Sequence, residues 1–455
     1  MCFVLGEYRI RGRRATEIAA DIEQAVSAGE LTPGQALPPL RDLAAELEVN
    51  PNTVAAAYRL LRDRGVIETA GRRGSHIRSR PAVTPRDQIR VEVPTGARDL
   101  STGNPDTALL PPLTPATAAA AASLDRDPVL YGCSAVDPGL LALATAAFRA
   151  DGVPDGPLAV ASGSLDAIER IFTARLRPGD AVAVEDPGWS SLLDLVPALG
   201  LRAVPVAVDD HGPLPDDVAR ALAAGARALV VTVRAQNPTG AALSAERARA
   251  LRSVLAAHPA VLLVEDDHGH GIVDQPYLPL AAAPGRDPVV GQWAVVRSAA
   301  KAYGPDLRLS VATGDADTLG RVLGRQRLGA GWVSHLLQRT VAELWRTGAA
   351  PAPRIAAAYR ERREALLAAL ADRGVAAHGA SGLNVWIPVW DEAAAVSGLL
   401  QRGWAASPGA RFRLESPPGI RLTVSTLTAR DIPALAADVA AALGHQRTSA
   451  VGRPV

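Results

Sequence analysis

Lysine is the side chain that condenses with an aldehyde, and this chain of 455 residues has one, Lys301; the other 47 of its basic Lys/Arg positions are arginine. A guanidinium stays protonated and forms no imine, so arginine replaces lysine for charge but not for amine chemistry. A lone lysine is therefore a candidate nucleophile or a chance surface survivor, and its surroundings must decide. It follows the strand-like run Val295-Val296-Arg297-Ser298, and Arg308 stands close behind it. Arg308 can fork onto a phosphate, and a desolvated lysine beside another cation has a lowered pKa that favours the attacking amine.

Four further segments carry chemistry that matches an aldehyde-bearing, phosphorylated pyridine such as pyridoxal phosphate (PLP). Ser162-Gly163-Ser164 opens the helical run DAIERIF; a helix start with free N–H groups and hydroxyls receives a phosphate, although such turns also simply cap helices. Trp189 follows a Pro-Gly turn in a chain with only 4% aromatics; an indole stacks on a flat ring or packs in a core. Asn237 precedes Pro238-Thr239-Gly240 and offers an amide to a phenolate oxygen, or belongs to a plain turn. Glu265-Asp266-Asp267-His268-Gly269-His270 ends the run Val261-Leu262-Leu263-Val264. A carboxylate there would keep a pyridine nitrogen protonated; a Glu/Asp/His metal site and simple solvation are the alternatives.

These five segments all sit where an apolar run ends. Open α/β sheets bind ligands outside the carboxyl ends of their strands, and residues 99–445 alternate strand-like runs with Ala/Leu/Arg helical stretches in the βαβ manner. The last ten residues read as a frayed tail. Ahead of this domain, residues 80–98 are rich in Pro, Arg and Thr and read as a linker.

Residues 8–79 form a separate pattern. Leu40, Leu43, Ala44 and Leu47 share one helix face, as do Val54, Ala57, Tyr58 and Leu61. Between them Asn50 suits an N-cap and Pro51 a first helical position. Two short helices across a tight turn make a helix-turn-helix, whose second helix reads DNA. Asn52, Thr53 and Arg59 point outward from it as donors to bases or phosphates. Thr69 to Ser75 is a Gly-flanked basic turn suited to a wing, with Arg72 and Arg73 near a phosphate or the minor groove. Residues 1–80 hold 12 arginines and 10 acids, a weak electrostatic footprint, so a small protein-interaction domain is the rival.

Composition narrows the rest. Net charge is +1 and 48% of residues are apolar, so bulk charge argues for neither nucleic acid nor membrane while a large core is affordable. No apolar run reaches the roughly 18 residues of a membrane helix. Cys2 and Cys133 provide neither a disulfide framework nor a metal spacing. The N-terminal residues lack the order of a signal peptide, and a cytoplasmic location is the expectation.

Over nearly its whole length, LTPGQALPPLRDLAAELEVNPNTVAAAYRLLRDRGVIETAGRRGSHI resembles the winged helix of the GntR family. The resemblance implies DNA contacts from Arg41, Asn52, Thr53, Arg72 and Gly74; Pro39 replaces that family's usual serine. The five segments together resemble class I and II aminotransferases of PLP fold type I across about 340 residues. That implies a mostly parallel sheet with helices on both faces and a smaller C-terminal α+β subdomain, roughly residues 350–445. It implies Lys301 as the Schiff-base lysine, Asp266 on the pyridine nitrogen, Asn237 on the ring hydroxyl and Trp189 stacked on the ring. It further implies Ser162, Gly163, Ser164, Ser298 and Arg308 on the phosphate, Tyr131 reaching the phosphate of a neighbouring subunit, and Arg421 on a ligand carboxylate. His268 stands where a tyrosine usually reaches the ring oxygen, Ala300 replaces a serine before the lysine, and Ala299 a phenylalanine. The two-domain order resembles the MocR-type transcriptional regulators, which implies a cytoplasmic homodimer that binds an operator and senses an amino compound or PLP itself. A working aminotransferase with an added winged helix and a DNA-binding protein with an empty large domain are the competing expectations.

Overall fold

The computed structural model describes residues 8–451, apart from 29, 33, 64–65, 70–73, 78–85, 87–88, 90–91 and 284. The chain divides into two compact units, the first built on the N-terminal residues and the second holding most of residues 85–455.

In the N-terminal unit, helices α1 (Ala15–Ala28), α2 (Leu40–Glu46) and α3 (Pro51–Asp63) precede a small antiparallel ribbon. Its strands β1 (Ile67–Thr69) and β2 (Ser75–Ile77) pair Ile67 with Ile77 and Thr69 with Ser75. The expected face of α3 is the observed one: Val54, Ala57, Tyr58 and Leu61 are buried with Ile18 and Ile22 of α1 in one cluster. The break before α3 is capped as its sequence indicates, the Asn50 side chain accepting from the Asn52 backbone N–H at 2.8 Å. In α2 only Leu43 and Ala44 are buried; Leu40 is exposed, and Leu47 is the C-cap instead of a helical residue. Pro39 caps α2 without a side-chain hydrogen bond, the cost of lacking a serine hydroxyl.

In the large unit the strands in chain order are β3 (Arg98–Asp99), β4 (Leu158–Ala161), β5 (Ala181–Asp186), β6 (Arg202–Asp209), β7 (Gly212–Pro213) and β8 (Ala226–Thr232). They continue with β9 (Leu262–Asp267), β10 (Gln292–Ser298), β11 (Ser310–Gly314) and β12 (Asn384–Pro388), then β13 (Trp404–Ala405), β14 (Ser407–Pro408) and β15 (Gly419–Thr423). Eight of them form one sheet in the order β4-β11-β10-β9-β8-β5-β6-β7. β8, β9 and β10 run parallel, and β11 is antiparallel to both β10 and β4. Every residue of β5 and β9 is buried, as strands covered on both faces require.

The smaller subdomain is built around β12, β15 and β14, with the long helices Ala352–Ala371 and Asp431–Val451. Its apolar cluster takes in Leu100 as well as Leu366, Ile387 and Leu435. The subdomain therefore recruits the stretch that follows the linker, since β3 pairs in parallel with β13. The C-terminal helix runs on to Val451, where a frayed tail was expected.

Candidate functional site

A cavity of about 370 Å³ opens at the carboxyl ends of β4, β5, β8, β9 and β10, lined by Gly163, Ser164, Trp189, Asn237, Asp266, His268, Ser298, Lys301 and Arg308. The five segments singled out by sequence thus meet at one place. A second pocket of about 260 Å³ is lined by five of the same elements' residues and chain neighbours, Trp189, Ser191, Asn237, Lys301 and Gly103, and adds Ser101 and Arg421.

β10 delivers Ser298, and Lys301 follows in the short helix Ala300–Tyr303. The Lys301 Nζ donates to the Gly103 carbonyl. Desolvation, and then the positive charge of Arg421, lower the Lys301 pKa to about 8, so a useful fraction of the amine is neutral near pH 7. The Ser298 Oγ accepts from the Ala300 N–H at 3.1 Å, which leaves its own hydrogen to donate.

Alternation along β9 separates the three acids. Asp266 lines the cavity, while Glu265 and Asp267 face away. Glu265 accepts from the Tyr277 hydroxyl at 2.8 Å and from two backbone N–H groups; burial pushes its pKa up to about 7. Asp267 is held between Arg234 and Arg297, each at 2.8 Å. Burial opposes its ionisation, but the two guanidiniums outweigh it and hold its pKa well below the usual carboxylate range. These acids are structural.

His268 departs from expectation. Its Nδ1 lies 2.9 Å from Asp266 Oδ2 and its Nε2 2.7 Å from the Ala235 carbonyl. Both ring nitrogens are committed, so the imidazole braces Asp266 and does not hydrogen-bond a ring oxygen as the tyrosine it replaces would. The carbonyl oxygen can only accept, so Nε2 carries a hydrogen. Burial alone would lower the His268 pKa; the Asp266 carboxylate prevails and raises it. Ala235 adopts a left-handed conformation (φ 58°) to present that carbonyl.

Asn237 is positioned by Gln236, a wholly buried residue. The Gln236 Nε2 donates to the Pro187 carbonyl at 2.8 Å, and its Oε1 accepts from the Thr239 N–H at 2.9 Å, stapling the turn to the end of β5. The Asn237 Oδ1 accepts from Arg421 at 3.0 Å, which leaves its NH₂ to donate into the cavity. Arg421 also donates to the Ser101 carbonyl and lies 4.7 Å from the centre of the Phe412 ring. Burial, and then the neighbouring charge of Arg411, lower the Arg421 pKa to about 9.

At the other end, Arg308 has a left-handed backbone and donates to the Ser162 carbonyl at 3.0 Å. Its guanidinium packs over Gly163, where a Cβ would lie 2.6 Å from it and where φ is +99°. Ser162 is a correction: it is exposed and does not line the cavity, and its N–H donates to Asp166 at 2.7 Å. It supports Arg308 instead of facing a phosphate. Tyr131, expected to reach a neighbouring subunit's phosphate, does not line this chain's own cavity; it is 94% exposed and lies edge-on against Trp332.

Two buried polar atoms in the cavity have no partner among the described residues: Asp266 Oδ1 and Ser164 Oγ. Unpaired buried groups are costly, and these suit a protonated ring nitrogen and a phosphate oxygen. With the Asn237 amide, Arg308 and Lys301, the donor set fits PLP.

In the N-terminal unit Arg41, Asn52 and Arg59 are exposed and Thr53 is half-buried, all on α2 and α3. Gly74 is exposed immediately before β2 with φ +82°, a conformation that favours glycine. Arg72 lies outside the described residues.

Comparison with known proteins agrees with this division. Residues 98–439 match the aminotransferase class I and II family, and residues 14–77 match the gntR family of bacterial regulatory proteins. The chain is 40% identical over 442 residues to the vitamin B6 salvage pathway transcriptional repressor PtsJ of Salmonella typhimurium, covering 96% of this chain and all of the relative. The chain belongs to the MocR-type transcriptional regulators. A second relative of this MocR-type chain is the pyridoxine biosynthesis transcriptional regulator PdxR of Corynebacterium glutamicum, 30% identical over 78% of this chain and 79% of the relative. Among solved structures, the α-aminoadipate aminotransferase LysN of Thermus thermophilus, complexed with N-(5'-phosphopyridoxyl)-L-leucine, superposes with a TM-score of 0.68. It is 22% identical over 81% of this chain and 96% of its own, and establishes the fold.

Sequence reasoning missed three contributors to the site of this MocR-type chain. Gly103 and Ser101 give only backbone oxygens, which no side-chain pattern reveals, though Gly103-Asn104-Pro105 is a recognisable turn signal. Gln236 carries no signal of its own in the sequence, and only its burial marks it.

Proposed function

We propose that this regulator binds PLP on Lys301 and uses it to read the supply of vitamin B6, controlling transcription through the N-terminal winged helix. The observation that carries this is Lys301 itself: the sole lysine, facing a cavity in which Asp266 Oδ1 and Ser164 Oγ are buried without partners among the described residues. The names of the PtsJ and PdxR relatives support vitamin B6 as the signal and, for PtsJ, repression as the direction. The boundaries 8–79, 80–98 and 99–445 belong to this reading, as does a cytoplasmic location; among the described residues no helix is long and apolar enough to cross a membrane.

Each residue has a task. PLP, when bound, supplies an aldehyde and a pyridine ring able to take up electrons. Lys301 attaches it, Asp266 holds a proton on the ring nitrogen, and His268 fixes Asp266. The Asn237 amide donates to the ring oxygen; Arg308, Ser164 and the start of the helix Ser164–Arg175 hold the phosphate, with Ser298 donating from beside them. Trp189 covers the ring. Arg421 is retained and buried (3% exposed), so an amino compound with a carboxylate can occupy the second pocket as a co-effector. The same residue supports the second reading, a working aminotransferase.

A homodimer is part of the proposal. Leu130, Tyr131 and Leu328 are exposed to 68%, 94% and 90%, an apolar surface that a second copy would cover, with Tyr131 reaching that copy's cavity. DNA contacts are assigned to Arg41, Asn52, Thr53, Arg59, Arg72 and Gly74.

The test uses the full chain. Adding PLP should produce a visible absorption band, borohydride should fix the cofactor on Lys301, and binding to the DNA upstream of the protein's own gene should change with PLP. A protein that stays colourless with PLP would overturn the cofactor assignment. No binding to that DNA with or without PLP would overturn the regulator. Sustained conversion of amino and keto acids at metabolic rates would favour the enzyme.

A further inference from the structure

The large domain is entered through its small subdomain. Arg98 and Asp99 pair with Trp404 and Ala405, and Arg98 forks onto Asp431 at 2.9 and 3.0 Å. Leu100 is wholly buried in the subdomain core, and its N–H donates to the Ala405 carbonyl at 2.9 Å. The next few residues then wall the ligand pockets. Two cations grip this stretch by its backbone: Lys301 through the Gly103 carbonyl and Arg421 through the Ser101 carbonyl. The Gly103 contact is the one hydrogen bond that Lys301 makes among the described residues. The group that captures the ligand therefore also pins the segment that leads back to the linker and the DNA-binding module.

We propose that the bond from Lys301 to Gly103 is a latch that an aldehyde opens and an amine leaves shut, so that the protein distinguishes the aldehyde form of its cofactor from the amine form. This rests on Lys301 being the attachment site. In the opening step the neutral Nζ attacks the aldehyde carbon and a C=N bond forms. The carbonyl oxygen leaves as water, carrying both amine hydrogens. No electrons are gained or lost. As an ammonium Nζ has three N–H groups; after condensation it would have none, or one if the imine took up a proton, and the new bond would draw it away from Gly103. The Gly103 carbonyl thereby loses its donor. Pyridoxamine phosphate presents the same ring and phosphate but has no carbonyl carbon for Nζ to attack, so Lys301 remains a free amine and keeps its hold. Arg421 still grips Ser101 in both cases, which confines the change to the Lys301 side.

Amide hydrogen exchange over residues 98–104 reads the latch directly. The Leu100 and Ser101 amides are protected by bonds to the Ala405 carbonyl and, at 2.8 Å, to the Asp99 carboxylate. Full-length protein is measured alone, with PLP and with pyridoxamine phosphate, and the visible spectrum is recorded on the same samples. PLP should speed exchange of this peptide roughly ten-fold, the loss of one hydrogen bond from a charged donor, and pyridoxamine phosphate should not. Lys301→Met should exchange fast from the start and respond to neither ligand. Equal exchange with both ligands, slower exchange with PLP, or wild-type protection in Lys301→Met would each overturn the latch. A missing absorption band with PLP would instead overturn the attachment reading. The contrast between the two ligands needs only the wild-type chain, so it stands even if the variant misfolds.

Discussion

Attachment of PLP should follow a proton that leaves Lys301 near pH 8. The pocket lowers this lysine to about 8 from an ordinary 10.5, by desolvation first and the Arg421 charge second. At pH 7 the neutral, attacking fraction is then about one in eleven, against about one in three thousand for an unperturbed lysine, a gain of about three-hundred-fold. The rate of appearance of the visible band, followed by stopped flow after mixing protein with excess PLP, should rise close to ten-fold between pH 6 and 7. It should level off above pH 9. Arg421→Gln removes the second cause and should move the plateau to higher pH, slowing attachment at pH 7. A rate that still climbs beyond pH 9.5 would show a lysine in ordinary solvent and refute the pocket's effect. A plateau unmoved in Arg421→Gln would refute the part assigned to that arginine.

Three other perturbations are similarly exposed to test. Gly163→Ala forces a side chain into a φ of +99° and places a Cβ 2.6 Å from the Arg308 guanidinium. The strain is about 1–3 kcal/mol, so PLP affinity should fall by about ten-fold or more while pyridoxal, which lacks the phosphate, changes less; spectral titration with both compounds decides. Asp267→Asn leaves Arg234 and Arg297 short of a buried counter-charge and should cost about 3–5 kcal/mol, read as a large fall in the thermal midpoint. Because the folded-state pKa of Asp267 is depressed, its contribution is present above the unfolded carboxylate pKa of about 3.9 and is lost as pH falls below it; the midpoint gap between wild type and variant should close on acidification, and a constant gap would count against it. Arg59→Ala, an exposed position on α3, should weaken DNA binding and reduce the salt slope by about one; an unchanged slope in a binding titration would remove Arg59 from the DNA contacts.

The site was legible to the extent that strand ends are legible. Asp266, Asn237 and Lys301 follow apolar runs, and a sheet gathers the ends of its strands whatever their distance in sequence. The Asn50-Pro51 start of the second short helix was equally plain, because capping is local chemistry. What stayed hidden depends on partners distant in the chain. Glu265 and Asp267 looked equivalent to Asp266 until the strand's two-residue period was combined with the position of Arg297 on the neighbouring strand, opposite Asp267. Ser162 matched the phosphate pattern, yet it is exposed and its backbone N–H is bonded to Asp166. His268 lines the cavity where the resemblance places a tyrosine that reaches the ring oxygen; an imidazole is shorter and has two polar atoms, and Asp266 and Ala235 take both.

The lone lysine has one further consequence. Reagents that modify side-chain amines, whether acylating, reductively alkylating or cross-linking, meet a single lysine ε-amine in this protein, and it lies in the ligand pocket. Labelling read at Lys301 itself measures pocket occupancy, and cross-linkers that act through lysine side chains have no second ε-amine to use. In a cell, acetylation of a lysine side chain here would be the same event as blocking the sensor.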